Sequence, residues 1–217
     1  QNETTGEGKQ SRDTAPEKVS ASGSWPQFQY DGTNRSYNPR GPTLDESTEV
    51  TTLFSREDGS FGSPVVSESV MYVKGEYGNV HAIDAVTGER LWATMVGATG
   101  NVSLENDLVF ATGVSQRNTL HALNREDGEV VWSFRGQRST ESAPLIHDGS
   151  VFFGDDSGTV YSLERSTGEM NWEKEVEDGY WMMSSAASDG TVCVTDLKGG
   201  VYALKDSTGE IVWDTDL

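Results

Sequence analysis

From residue 61 onward the chain alternates short apolar runs with polar turns, and no stretch keeps a helical period. One unit shows the plan. The run Ser142-Ala143-Pro144-Leu145-Ile146 meets the turn His147-Asp148-Gly149-Ser150, then the run Val151-Phe152-Phe153. The turn Asp155-Asp156-Ser157-Gly158 leads to Thr159-Val160-Tyr161-Ser162-Leu163, and Ser166-Thr167-Gly168-Glu169 opens a last run around Trp172. Short runs rich in Val, Tyr and Phe and bounded by turn residues predict strands. Val130, Trp132 and Phe134 alternate onto one face, as in an outer strand with one wet side. Val70-Met71-Tyr72-Val73 is apolar on both faces, which predicts an inner strand.

The plan repeats. Trp92, Trp132, Trp172 and Trp213 are spaced 40, 40 and 41 residues apart, and each follows a Gly by four positions (Gly88, Gly128, Gly168, Gly209). The segments read AIDAVTGERLW, ALNREDGEVVW, SLERSTGEMNW and ALKDSTGEIVW. Four antiparallel strands recurring every 40 residues or so predict an all-β fold, a β-propeller of four-stranded antiparallel blades. The units fall at about 61–96, 100–136, 140–176 and 183–217. Residues 49–55 (EVTTLFS) align with an outer Trp strand, Phe54 standing for the Trp, and form an orphan strand that precedes the first full unit. Four blades and one orphan strand leave three arrangements open: part of a larger, eight-bladed ring, two chains sharing a ring, or a tight four-bladed closure. Residues 1–24 are polar and aromatic-free and read as a disordered tail, while 25–46 read as an extended segment packed on the propeller.

Charge adds a second constraint. The chain has 217 residues and a net charge of −19, with 35 acidic against 16 basic residues. Residues 1–24 account for −1, so the folded part carries −18. Phosphate backbones need Lys and Arg, which excludes nucleic acid as a natural partner. No apolar run of about 18 residues is present, which excludes a membrane-spanning helix. Such self-repulsion calls for screening salt and points to a halophilic source.

The turn-and-tryptophan segments, AIDAVTGERLW above all, resemble the tryptophan-docking repeat of the pyrroloquinoline quinone (PQQ) propellers, roughly A-x-D-x-x-T-G-x-x-x-W. The other units depart from it at Asn124, Glu164 and Lys205 for the Asp, Asp127 for the Thr and Ser162 for the Ala. The resemblance covers 49–217, and the opening WPQFQYDGTNRSYNP is similar to PQQ-like propellers of halophilic archaea. That family has one branch of quinoprotein alcohol and sugar dehydrogenases and one of non-enzymatic scaffolds like the bacterial outer-membrane assembly lipoprotein. The dehydrogenase branch implies PQQ, a calcium site of Glu, Asn and Asp, an Asp base, and often adjacent cysteines. A single cysteine, Cys193, rules out the cysteine pair and an internal disulfide, and no Glu–Asn–Asp set stands out from the repeat. No catalytic or cofactor-binding residue is therefore assigned, and PQQ and calcium belong only to the dehydrogenase alternative.

Cys193, in Val192-Cys193-Val194, reads as a small core residue. His81 and His121 share a repeat position with Tyr161 and Tyr202, so they read as packing residues and no metal ligand is assigned. Asp155-Asp156 reads as a solvated turn, with a weak calcium site as the alternative. Asn2, Asn34 and Asn101 open N-x-S/T triplets, glycosylation acceptors in a secreted protein. The informative departure is an insertion. Trp132 to Ser142 is 10 residues, but Trp172 to Ser185 is 13, and the extra length carries Tyr180, Trp181, Met182 and Met183. Aromatic and Met clusters are enriched at interfaces, which makes these four the candidate partner-binding residues; the alternative is an inner strand of the fourth unit. The expectation is a non-catalytic binding or assembly scaffold with a protein or cell-envelope ligand and self-association as one way to close the ring. Its expected location is extracellular or at the cell surface, held by a lipid anchor on a segment preceding Gln1.

Overall fold

A computed structural model describes residues 62–113, 119–176 and 182–216. The described residues form four sheets of four antiparallel strands, each strand pairing with the next in sequence. Blade 1 comprises β1 (Val65–Ser67), β2 (Val70–Lys74), β3 (Asn79–Asp84) and β4 (Arg90–Met95). Blade 2 comprises β5 (Ala98–Glu105), β6 (Leu108–Gly113), β7 (Leu120–Asn124) and β8 (Val130–Phe134). Blade 3 comprises β9 (Leu145–His147), β10 (Ser150–Gly154), β11 (Thr159–Glu164) and β12 (Met170–Glu175). Blade 4 comprises β13 (Met182–Ser188), β14 (Thr191–Asp196), β15 (Gly200–Lys205) and β16 (Ile211–Asp216). The first strands of successive blades lie together, and the fourth strands face outward, with Leu91, Val131 and Val212 exposed. The orphan strand at 49–55 and the segments 1–24 and 25–46 lie outside the described residues.

The repeat has a local chemical cause. In the turn between the third and fourth strands, Asp84 Oδ1 accepts the main-chain N–H groups of Val86 and Thr87, both at 2.8 Å. These two bonds hold the Asp84 carboxyl below the usual carboxylate range. Asn124 Oδ1 takes the N–H of Glu126 at 2.8 Å and Glu164 Oε1 that of Ser166 at 3.2 Å, so two of the three departures from Asp keep the acceptor, while Lys205 does not. Asp127 likewise does the work of Thr, its carboxyl accepting the Glu129 N–H at 2.9 Å. A register shift recurs at the same place in all four blades, at Ala82/Ile83, Ala122/Leu123, Ser162/Leu163 and Ala203/Leu204. Such a bulge re-aims the outer strand.

The blades are joined by the tryptophans. Trp92 donates its indole N–H to the Arg125 carbonyl (3.0 Å), Trp132 to that of Arg165 (3.0 Å) and Trp172 to that of Asp206 (2.7 Å). Each acceptor lies in the next blade. Each ring lies against the turn glycine of that blade, so closely that a Cβ on Gly128, Gly168 or Gly209 would come within 2.5–2.6 Å of the indole. The other side of each ring meets an aromatic of its own second strand, Tyr72, Phe110 or Phe152, at 5.9 Å between centroids. Each apolar cluster therefore spans two blades, the first running from Val65 to Leu123 and including Trp92.

Blade 4 shows what the dock covers. Trp213 is 48% exposed, whereas Trp172 is 8% exposed. Cys193 pairs with Ala203, the register position that Tyr72, Phe110 and Phe152 hold in the other blades. It is half-buried rather than a core residue, in the blade whose Trp213 is also exposed. Burial still pushes its thiol upward.

Candidate interaction surface

Antiparallel order divides each blade into two ends. One end carries the turns between strands one and two and between strands three and four. The other carries the hairpin between strands two and three and the connection to the next blade. The insertion that stands out in the sequence falls between β12 and β13. Tyr180 and Trp181 lie outside the described residues. Met182 and Met183 fall in β13; Met182 pairs with Asp196, and the register shifts between Met182 and Ser184. Their backbone is thus an inner strand of blade 4, and this strand begins beside the β14–β15 hairpin, whose Leu197 is 56% exposed.

The same end of blade 1 carries two more exposed apolar side chains. Tyr77 is 81% exposed, and Met95, paired with Asn79, is 61% exposed. Tyr77 adopts a left-handed backbone (φ 62°) inside a short 3-10 turn, uncommon for a bulky residue and a form of strain found at functional positions. Gly78 follows at φ 82°, and a Cβ there would sit 2.6 Å from Gly97 Cα, so the hairpin is pressed against the connection to blade 2. Between hairpin and connection runs a groove of about 330 Å³, lined by Lys74, Glu76, Tyr77, Gly97 and Thr99 among others. In the sequence the only signal of this patch is a Tyr–Gly step at a hairpin tip.

Beneath this end lies a polar layer. Asp155 is not a solvated turn residue: it is fully buried and accepts from Ser157 N–H (3.0 Å), Thr159 N–H (3.1 Å), Ser157 Oγ (2.6 Å) and Tyr161 Oη (3.0 Å). A carboxyl satisfied four times over in the hairpin replaces the main-chain contacts a bare turn would leave open. Tyr161 Oη in turn accepts the Gln137 N–H from the blade 2–3 connection at 3.1 Å. Burial is the main cause that pushes the Tyr161 phenol upward, and burial with Asp155 alongside raises Asp156. Blade 4 repeats the device, Asp196 accepting from Lys198 N–H (2.9 Å), Gly200 N–H (2.8 Å) and Tyr202 Oη (3.2 Å).

Blades 1 and 2 pair Gly with His in place of Asp with Tyr. Gly75 N–H bonds the Asn79 carbonyl and Gly113 N–H that of Thr119, as Asp155 N–H does with Thr159. His121 is buried, with Nδ1 2.9 Å from Ser133 Oγ and Nε2 without a partner. Burial lowers its pKa, and the Val96 main chain acts more weakly in the other direction. His81 and His121 sit in different blades and share no grouping of metal donors among the described residues.

The calcium set of the dehydrogenase branch can be tested against these donors. Among the described residues one grouping of three His, Cys, Asp or Glu donors converges, His147, Asp148 and Asp206, and it lies in turns at the opposite end of the blades.

The family model described as the outer membrane protein assembly factor BamB matches residues 35–180. BamB of Burkholderia pseudomallei is 30% identical over 132 residues, 60% of this chain and 34% of that protein. The quinoprotein alcohol dehydrogenase PedH of Pseudomonas putida is 27% identical over 147 residues, 58% of this chain and 24% of that protein. Among solved structures, the quinohemoprotein alcohol dehydrogenase of Comamonas testosteroni superposes with a TM-score of 0.73 at 20% identity, covering 89% of this chain and 41% of that one. The chain thus spans between a quarter and a third of these curated relatives' length.

Proposed function

Because this chain belongs to the BamB-type family of PQQ-repeat propellers, we propose that it is a non-catalytic binding or assembly scaffold working at the cell surface or outside the cell. Fold alone does not choose between the family's branches, so the choice rests on the site. The carrying observation is where the chain departs from its own repeat. The exposed Tyr77, Met95 and Leu197 all belong to the hairpin-and-connection end of the blades, and the sequence insertion carrying Tyr180 and Trp181 falls between β12 and β13. That composition suits recognition of a protein or envelope ligand. No resident quinone or calcium is part of this reading.

The alternative is a segment of a PQQ-dependent dehydrogenase, which the 27% identity to PedH favours. The net charge of −19 supports a high-salt habitat, since self-repulsion over a compact surface needs screening. A lipid anchor upstream of Gln1 fits the same picture.

Photo-crosslinking in the cells of origin tests the scaffold reading. A benzophenone amino acid replaces Trp181 in one protein and Val131, on an outer strand, in another. The reading expects a discrete adduct from position 181 and none from 131. Equal adducts from both, or none from 181, would count against it.

A further inference from the structure

Two of the three blade junctions carry the same Arg–Glu pair, and the third replaces the arginine with a carboxylate. In each, the turn between the first two strands of one blade meets the residue that follows the third strand of the next. At the first junction that residue is Arg125, whose Nη2 lies 3.2 Å from Glu68 Oε2. At the second it is Arg165, whose Nη1 lies 3.0 Å from Glu105 Oε1. At the third it is Asp206, and the facing turn offers His147 and Asp148. A cation has become a carboxylate, while the acid it would have neutralised remains.

These three side chains converge. Their donor atoms all lie within 4.8 Å of one another, and His147 Nε2 is 3.5 Å from Asp148 Oδ2. The backbones carrying them are fixed. The Asp206 carbonyl holds the Trp172 indole, and its N–H donates to the Gly190 carbonyl at 3.1 Å. Asp148 and Gly149 both have positive φ (45° and 77°), the backbone of a tight hairpin turn. Donors on rigid, separately anchored segments are pre-organised for a small ion.

We propose that His147, Asp148 and Asp206 bind a divalent transition-metal ion of the zinc class, which clips blade 3 to blade 4 where the other junctions use an arginine. An imidazole with two carboxylates suits zinc, with water in the fourth position. Calcium and magnesium prefer all-oxygen shells of six or more. Tetrahedral bonds of about 2.0–2.1 Å place donors about 3.4 Å apart, so side-chain rotation of about 1 Å closes the site. Asp206 is half-buried, His147 half-buried and Asp148 exposed, an arrangement open to ion entry.

Calorimetric titration of the intact protein with zinc chloride in molar sodium chloride tests this, with calcium chloride as the control. One zinc per chain is expected, with a raised melting midpoint and no comparable effect of calcium. His147→Ala should weaken binding at least tenfold. So should Asp206→Arg, which restores the cation present at the other junctions and keeps the melting midpoint of the zinc-free protein. The proposal is overturned if the wild type shows no saturable zinc binding above calcium. It is equally overturned if the variants bind zinc as tightly as the wild type, which would place the ion elsewhere on the acidic surface.

Discussion

At the scale of single residues, the buried polar groups decide more than their exposed counterparts. Asp155 accepts four hydrogen bonds in a fully buried hairpin. Its replacement by Ala leaves two main-chain N–H groups and the Tyr161 O–H without an acceptor, and should cost about 3 kcal/mol by chemical denaturation, since a buried donor left unsatisfied costs about 1–3 kcal/mol. His121 makes a pH prediction. Burial holds its pKa below the ordinary 6.5, so on acidification the unfolded chain takes up a proton that the folded chain refuses. Stability contributed at neutral pH is therefore lost as the pH falls below about 6.5. At pH 5.5 this loss is at most about 1.4 kcal/mol, and the His121→Gln variant should lack it when both proteins are denatured with urea at pH 7.5 and 5.5.

Elements are held by the tryptophan docks, and the docks are unequal. Trp132→Ala removes a ring packed between Phe110 and Gly168 and bonded to the Arg165 carbonyl, and should cost about 3–5 kcal/mol. Trp213→Ala, with its ring 48% exposed, should cost under about 1 kcal/mol in the same chain. Gly168→Ala should cost several kcal/mol, on the order of the tryptophan change. It combines a φ of 73° with a Cβ placed 2.5 Å from the Trp132 ring. Urea midpoints of the three variants check the ranking. The blades and these docks were legible in the sequence because a 40-residue period with a fixed Gly-to-Trp spacing constrains all four strands at once. The exposure of the last blade was not legible: Cys193 sits in an apolar run, yet burial depends on packing between blades, which the run itself does not encode. The inverted junction was visible only in part, as Asp206 aligned with Arg125 and Arg165. Its meeting with His147 and Asp148 requires blade 4 to fold against blade 3. Asp155 was misread for a related reason, since a turn sequence does not show that a tyrosine six residues on will close over it.

The whole molecule is governed by its surface and its site. With a net charge of −19, the melting midpoint should rise by tens of degrees between about 0.05 M and 2 M sodium chloride as repulsion is screened. A midpoint independent of salt would remove the case for a halophilic habitat. The scaffold reading turns on the absence of quinone chemistry, and one measurement addresses that directly. The intact protein is titrated with PQQ and calcium in molar salt, followed by tryptophan fluorescence, and then assayed for dye reduction with ethanol and glucose. The account predicts no saturable one-to-one binding and no dye reduction. Stoichiometric quinone binding with calcium-dependent dye reduction would contradict it and place the chain among the family's dehydrogenases.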